Sequence, residues 1–296
     1  MVEGIPEFAK TKIDELKSEY FPNNKIVNIS RLGGLTNFSF KVDFDNGESY
    51  VFRLPGEGTE ELVNRYDEKV STTLACNLGI DSELVMFDAD KGTKIMKFVV
   101  GETMNDEKLR TDKSIEEVAD IFKKLHTSGV DTKVPFDVFD MADGYEKFIS
   151  ANGVELYDDW EDIRKKVMAL KARVDKNGTT KAPCHNDSLC ENWLHDADRM
   201  YLIDWEYAGM NDPYWDLADI SIEADYDKEM DEKLLRRYHG GEPDENQKLR
   251  FEANKIYLDF LWTLWGKTRV PFDGEPLEEY ARNRYERLKK NMVGLV

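Results

Sequence analysis

The hydrophobic period of this chain changes once, near Gly101, and that change restricts the folds open to it. Before it, Phe38, Phe40, Val42 and Phe44 are separated by single polar residues, the pattern of a strand with one buried face. Asp45-Asn46-Gly47 supplies hairpin-turn chemistry, and Tyr50 to Leu54 is the returning strand, stopped by Pro55-Gly56. A helix is expected over 60–78, and two further strands near 82–87 and 93–99 around Ala89-Asp90-Lys91-Gly92. Ahead of the strands, Ala9, Ile13, Leu16 and Tyr20 fall at helical spacing. Beyond Gly101 the pattern is mainly helical. Trp160, Ile163, Val167, Leu170 and Val174 keep a three–four spacing that predicts a packed helix. Short strands return only near 181–184, 192–194 and 200–203, and helices are expected over 214–225, 228–238, 246–267 and 277–291. The class is therefore α+β, with a small antiparallel-sheet lobe over 1–100 and a larger, mainly helical lobe over 101–296.

Composition excludes several roles. With 60 acidic against 41 basic side chains, the net charge of −19 disfavours nucleic acid and anionic lipid as partners, since both need clustered Lys and Arg. No apolar run is long enough to cross a membrane, and the polar, helix-like start carries no secretion signal. Cys76, Cys184 and Cys190 form neither a CxxC pair nor a disulfide framework, which fits a reducing cytoplasm. The sequence leaves the oligomeric state open.

The segment His185-Asn186-Asp187-Ser188-Leu189-Cys190-Glu191-Asn192 fits H-x-D-x-x-x-x-N, the pattern of a kinase catalytic loop. Twelve residues after Asn192 a short apolar strand ends in Asp204. Phosphoryl transfer needs one carboxylate to orient the attacking hydroxyl and take its proton, and oxygen ligands to hold Mg²⁺ against the phosphates of ATP. Asp187 suits the first task, and Asn192 with Asp204 the second. Taken singly, Asp187 and Asn192 are ordinary turn residues; it is their combination with Asp204 that selects the kinase chemistry.

The first lobe adds weaker signals. Gly33-Gly34-Leu35-Thr36-Asn37 lets the backbone approach phosphates and offers Thr36 and Asn37 as donors, although alone it is a common glycine-rich turn. Arg53 stands on the strand where a kinase keeps its phosphate-binding base, and Glu68 on the following helix is its natural ion-pair partner. The alternative for both is a solvated surface pair.

Together, Cys184-His185-Asn186-Asp187, the run from Ile203-Asp204-Trp205-Glu206 to Asn211-Asp212-Pro213, and Trp215-Asp216-Leu217-Ala218 resemble the choline/ethanolamine kinases, especially the bacterial type. The glycine pair, Phe52-Arg53-Leu54-Pro55-Gly56 and Leu125-His126 match as well. The resemblance runs from about residue 25 to the C-terminus. It implies a two-lobed protein-kinase-like fold of the aminoglycoside-phosphotransferase branch. It makes Asp187 the base, Asn192 and Asp204 the magnesium ligands, and Arg53 with Glu68 the nucleotide-positioning pair. His185 and Asp216 would brace the catalytic loop, and His126 would be a packed helix histidine. Lys97-Phe98-Val99-Val100 would form the hinge that offers backbone groups to adenine.

Choline as acceptor would need aromatic faces and nearby carboxylates, because a quaternary ammonium donates no hydrogen bond. Trp262 and Trp265 share one helical stripe and, read alone, are core residues. The family likeness instead puts them in a cation site with Tyr207, Glu223 and Tyr280. Phosphorylation of choline to phosphocholine is the expected activity. The alternatives are ethanolamine, thiamine or an aminoglycoside as acceptor, and a silent choline or nucleotide sensor, against which the complete set Asp187, Asn192 and Asp204 speaks.

Overall fold

The computed structural model describes residues 5–32, 37–56 and 64–295. Gly33, Gly34 and Thr36 lie outside them. The chain divides into two compact units, Met1–Thr103 with Asn192–Tyr207, and Met104–Glu191 with Ala208–Val296.

The first unit is built on a five-stranded antiparallel sheet in the order β1-β2-β3-β5-β4, from β1 (Ile26–Arg31), β2 (Asn37–Phe44), β3 (Ser49–Pro55), β4 (Leu84–Asp88) and β5 (Thr93–Lys97). The alternation read from the sequence is the burial pattern of β2: Phe40, Val42 and Phe44 are buried. They pack with Tyr50, Phe52, Leu54 and Ile95 against Ala9, Ile13 and Leu16 of α1 (Glu7–Tyr20). Those α1 residues recur every three or four positions, so one stripe of the helix covers the sheet. α2 (Arg65–Asn77) is capped by the Asn64 side chain, which accepts from the amides of Tyr66 and Asp67.

The segment 192–207, which the sequence reading puts in the lobe over 101–296, groups by packing with the first unit. β8 (Trp193–His195) and β9 (Met200–Leu202) form an antiparallel hairpin, flanked by the short β6 (Glu102–Thr103) in the order β6-β8-β9. Leu202 donates its amide to the Ile80 carbonyl at 3.2 Å, and Arg199 reaches the Gly79 carbonyl at 2.6 Å. Approach between the hairpin and the end of the first segment is close. A Cβ at Gly101 would fall 2.6 Å from the His195 carbonyl oxygen, so only glycine fits there.

The second unit holds α3 (Asp106–Leu109), α4 (Asp112–His126), α5 (Val138–Ala151), α6 (Trp160–Asp175), α7 (Tyr214–Glu223), α8 (Lys228–His239), α9 (Glu245–Asp273) and α10 (Glu275–Asn291). The short strands β7 (Ala182–Cys184) and β10 (Gly209–Asn211) pair antiparallel. α9 is the central element, opened by a capping box between Asp244 and Gln247. It packs against α5, α6, α7 and α10. Trp160 stacks on Phe260 with ring centres 5.1 Å apart and planes 4° from parallel, which joins α6 to α9. α9 runs six residues beyond the expected end at Lys267. Its last turn is solvated and shows no apolar stripe, and Pro271 is tolerated there before Gly274 ends the helix. Among the described residues no helix is long and apolar enough to cross a membrane.

Candidate active site

In the first unit the site is organised by a buried carboxylate. Arg53 binds Glu68 through both terminal nitrogens, Nη1 to Oε1 and Nη2 to Oε2, the latter at 2.9 Å. Both side chains are buried, so this is no solvated surface pair. Arg65 Nη1 donates to Glu68 Oε2 at 2.8 Å and Lys94 Nζ to Oε1 at 3.1 Å. Burial alone would push Glu68 up, but Lys94, Arg53 and Arg65 more than offset it and hold the carboxyl well below its usual range. Three buried cations thus converge on one anion. The Nε groups of Arg53 and Arg65 make no hydrogen bond among the described residues. A cluster with this surplus of donors is suited to phosphate oxygens. Asn37, expected to donate to phosphate, accepts from Arg65 Nη2 at 3.0 Å.

A second, acidic group lies in the same unit. The β8–β9 register pairs Trp193 with Leu202, and the Ile203 amide donates to the Asn192 carbonyl at 2.9 Å. The hairpin therefore brings Asn192 beside Ile203 and leaves Asp204 as the next residue, as the twelve-residue spacing suggests. Asp204 has φ +67°, a left-handed conformation that costs ~1–3 kcal/mol and is held by the structure around it. Two residues on, burial and the charges of Asp204 and Glu68 raise Glu206 to about 7, against the opposing effect of Arg53 and Arg65. Glu206 Oε2 is buried without a hydrogen bond and lies 3.7 Å from Arg65 Nη1. Crowded oxygen donors with unmet acceptor capacity fit a hard divalent cation such as Mg²⁺. Of the expected hinge residues, Lys97 and Phe98 donate their amides to the Glu83 and Ser49 carbonyls at 2.8 and 2.9 Å, and Val99 follows half-buried. Tyr207 is half-buried at the end of this unit.

In the second unit the loop carrying Asp187 is fastened to one face of α7. Asp216 accepts from the amides of His185 and Asn186, both at 2.8 Å. Asp219 accepts from Ser188 twice, from its amide at 2.5 Å and its Oγ at 2.9 Å. The Cys190 thiol donates to the Glu223 carbonyl at 3.3 Å. Residues 216, 219 and 223 follow the helical repeat, so one stripe of α7 engages successive positions of the loop. Asn186 is held at φ +68° between the Asn211 amide and the Trp215 indole N–H, at 3.0 and 3.1 Å. Burial, then Glu223 and Asp187, push Asp219 well above the usual carboxylate range.

His126, Cys184 and Asp216 bring three possible metal-ligating atoms within 4.8 Å of one another. Both His126 nitrogens are already engaged, Nε2 with Asp216 and Nδ1 with the Tyr238 hydroxyl, each at 2.9 Å. Asp216 also carries two amides, so this group braces the loop and has no ligand capacity to spare.

The expected acceptor-site aromatics meet at the α9–α10 contact. Trp262 and Trp265 are perpendicular at 88° with centres 6.0 Å apart, and Tyr280 stands edge-on to Trp265 at 5.7 Å. Tyr280 fits so close because residue 266 is glycine; a Cβ there would lie 2.9 Å from the tyrosine ring. Burial raises Tyr280 to about 12, and the charges of Glu223 and Asp187 add to the rise against Arg284. Glu223 is paired with Arg284 at 2.5 Å.

Sequence reading missed Arg65, Lys94, Glu206, Asp219 and Arg284. The helical offsets 65 to 68 and 216 to 219 to 223 were visible signals. For Lys94 no local pattern existed, because its partner is 26 residues away.

A small antiparallel sheet with a buried Arg–Glu pair, and a helical unit presenting an aspartate loop, define a small-molecule kinase, an enzyme that transfers a phosphoryl group from a nucleotide. The choline/ethanolamine kinase family model matches residues 29–266, and the chain belongs to that family. It is 29% identical over 292 residues to protein LicA of Haemophilus influenzae, covering 95% of this chain and 85% of that one. A choline/ethanolamine kinase family protein of Mesorhizobium loti superposes with a TM-score of 0.83 at 34% identity, covering 95% of this chain and 94% of its own. Choline kinase LicA of Streptococcus pneumoniae superposes with a TM-score of 0.80 at 29% identity, covering 97% and 99%. The two-lobed, protein-kinase-like architecture is thereby established.

Proposed function

We propose that this enzyme transfers the terminal phosphoryl group of ATP to the hydroxyl of choline, giving phosphocholine and ADP. The observation that carries the reading is the aromatic corner of Trp262, Trp265 and Tyr280 at the α9–α10 contact. Faces of this kind hold a desolvated cation at ~0.5–2 kcal/mol each. The name of the Streptococcus pneumoniae relative, a choline kinase, supports the same acceptor.

In this reading Asp187 accepts the proton of the acceptor hydroxyl and orients its oxygen. Asp216 and Asp219 keep the Asp187 backbone still, so no reorganisation is needed when the hydroxyl arrives. Arg53, held by Glu68, binds nucleotide phosphate, with Arg65 and Lys94 adding positive charge. Gly33, Gly34, Thr36 and Asn37 contribute to the phosphate loop, and Lys97, Phe98 and Val99 border adenine. Asn192 and Asp204 would hold Mg²⁺, which neutralises charge on the transferring phosphates when bound. Glu223 completes the acceptor site.

Ethanolamine is the alternative acceptor to test, and the carboxylate its ammonium would need, Glu223, is already paired with Arg284. ADP release with Mg-ATP and choline, ethanolamine, thiamine or an aminoglycoside tests the assignment, with Asp187→Ala as control. Turnover mainly with choline, lost in the variant, is expected. Turnover only with another acceptor would return Trp262 and Trp265 to a purely structural role.

A further inference from the structure

Glu223, the carboxylate expected to face the substrate's positive charge, already holds one of the protein's own. Arg284 Nη2 donates to its Oε1 at 2.5 Å, and the guanidinium lies over the Tyr280 ring, 5.0 Å from its centre. Arg284 Nη1 lies 3.5 Å from Asp259 Oδ1 but makes no hydrogen bond among the described residues. The side chain is only 8% exposed. Asp259 is separately clamped by Arg287, Nε and Nη2 donating at 2.8 and 2.6 Å. Arg287 therefore answers the charge of Asp259, and Arg284 that of Glu223. A resident cation thus occupies the acid and one ring of the acceptor site.

Primary and quaternary ammonium ions differ in what they demand on leaving water. A primary ammonium gives up three N–H donors and needs directed acceptors to replace them. A quaternary ammonium has none to replace and is held by aromatic faces and field alone. A carboxylate already bound to a guanidinium is a poor acceptor for a second cation. The perpendicular indoles of Trp262 and Trp265 offer faces without acceptors.

We propose that Arg284 is the specificity-determining residue of the acceptor site: by occupying Glu223 and covering Tyr280 it makes the enzyme prefer a quaternary over a primary ammonium alcohol. The proposal rests on the choline reading above and assigns its selectivity to a residue that touches the cage and not the reacting hydroxyl.

The test is the ratio of kcat/KM for ethanolamine to that for choline, at saturating Mg-ATP, in wild type, Arg284→Gln, and Arg284→Gln combined with Glu223→Gln. The single variant frees the Glu223 carboxylate for an ammonium, and the ratio should rise about tenfold or more, the scale of one charge-assisted hydrogen bond. The double variant removes that acceptor, and the ratio should return to within about threefold of wild type. An unchanged ratio in Arg284→Gln, or a shift that survives in the double variant, overturns the proposal. If Arg284→Gln does not fold, Arg284→Lys decides. Lysine keeps the charge but cannot grip Glu223 and cover the ring together, so a smaller rise is expected and an unchanged ratio refutes. Wild-type turnover of choline without any ratio shift rejects the role of Arg284 alone. Wild type that accepts neither alcohol rejects the choline reading and this proposal with it.

Discussion

Glu206 gives the most quantitative prediction. Its carboxyl rises from an ordinary 4.5 to about 7 because it is buried beside Asp204 and Glu68, with Arg53 and Arg65 only partly compensating. A carboxyl raised on folding binds its proton more tightly in the native state. Its contribution is then fully present below about 4.5 and is lost as pH rises to about 7. The difference of 7 − 4.5 = 2.5 corresponds to a penalty of about 3 kcal/mol above pH 7, and to under about 1 kcal/mol at pH 5. Glu206→Gln removes the titration while keeping the shape. In metal-free protein with chelator present, the variant should gain about 2–3 kcal/mol relative to wild type on moving from pH 5 to pH 8. Urea unfolding at the two pH values, followed by tryptophan fluorescence, reads this directly, since Trp193 and Trp205 are buried in the same unit. Parallel pH dependence of the two proteins would refute the claim that Glu206 is ionised at a cost.

Three further outcomes follow from the same geometry. Asp219→Asn keeps the size of a fully buried side chain but weakens its hold on Ser188; kcat should fall at least about tenfold with the KM for ATP unchanged, and a normal kcat would show the loop holds itself. Glu68→Ala leaves three buried cations without their anion and should cost ~3–5 kcal/mol, seen as a lowered Tm of the purified protein. Trp265→Ala should raise the KM for choline about 2–30-fold, corresponding to ~0.5–2 kcal/mol for one lost aromatic face, with kcat for bound choline much less affected.

What the sequence disclosed depended on how local each signal was. The β2–β3 hairpin was legible because alternation and turn chemistry sit within a few residues, and α6 because its stripe spans four turns. The Arg53–Glu68 pair was anticipated by setting that strand and the helix after it against the kinase pattern. The spacing of Asn192 and Asp204 anticipated their hairpin but not that it packs with the first unit, since nothing in 192–207 encodes its dependence on Gly101, Gly79 and Ile80. Strand β6 is two residues long, too short for any period to register. Glu223 was read as open to substrate because its partner, Arg284, lies 61 positions later on another helix.

The attachment of the loop to α7 has a consequence for how the gene can change. The Asp216 and Asp219 side chains and the Glu223 carbonyl engage the loop only because they fall on one azimuth of the helix. Inserting or deleting one residue between 216 and 223 would rotate the downstream contacts by about 100° and unhook them, although composition and helix propensity would hardly change. Point substitutions on the opposite azimuth leave that phase intact. Length in this stretch is therefore more tightly constrained than identity, and single-residue insertions scanned along α7 should abolish turnover within it but be tolerated just past Gly240, where the chain has already left α8.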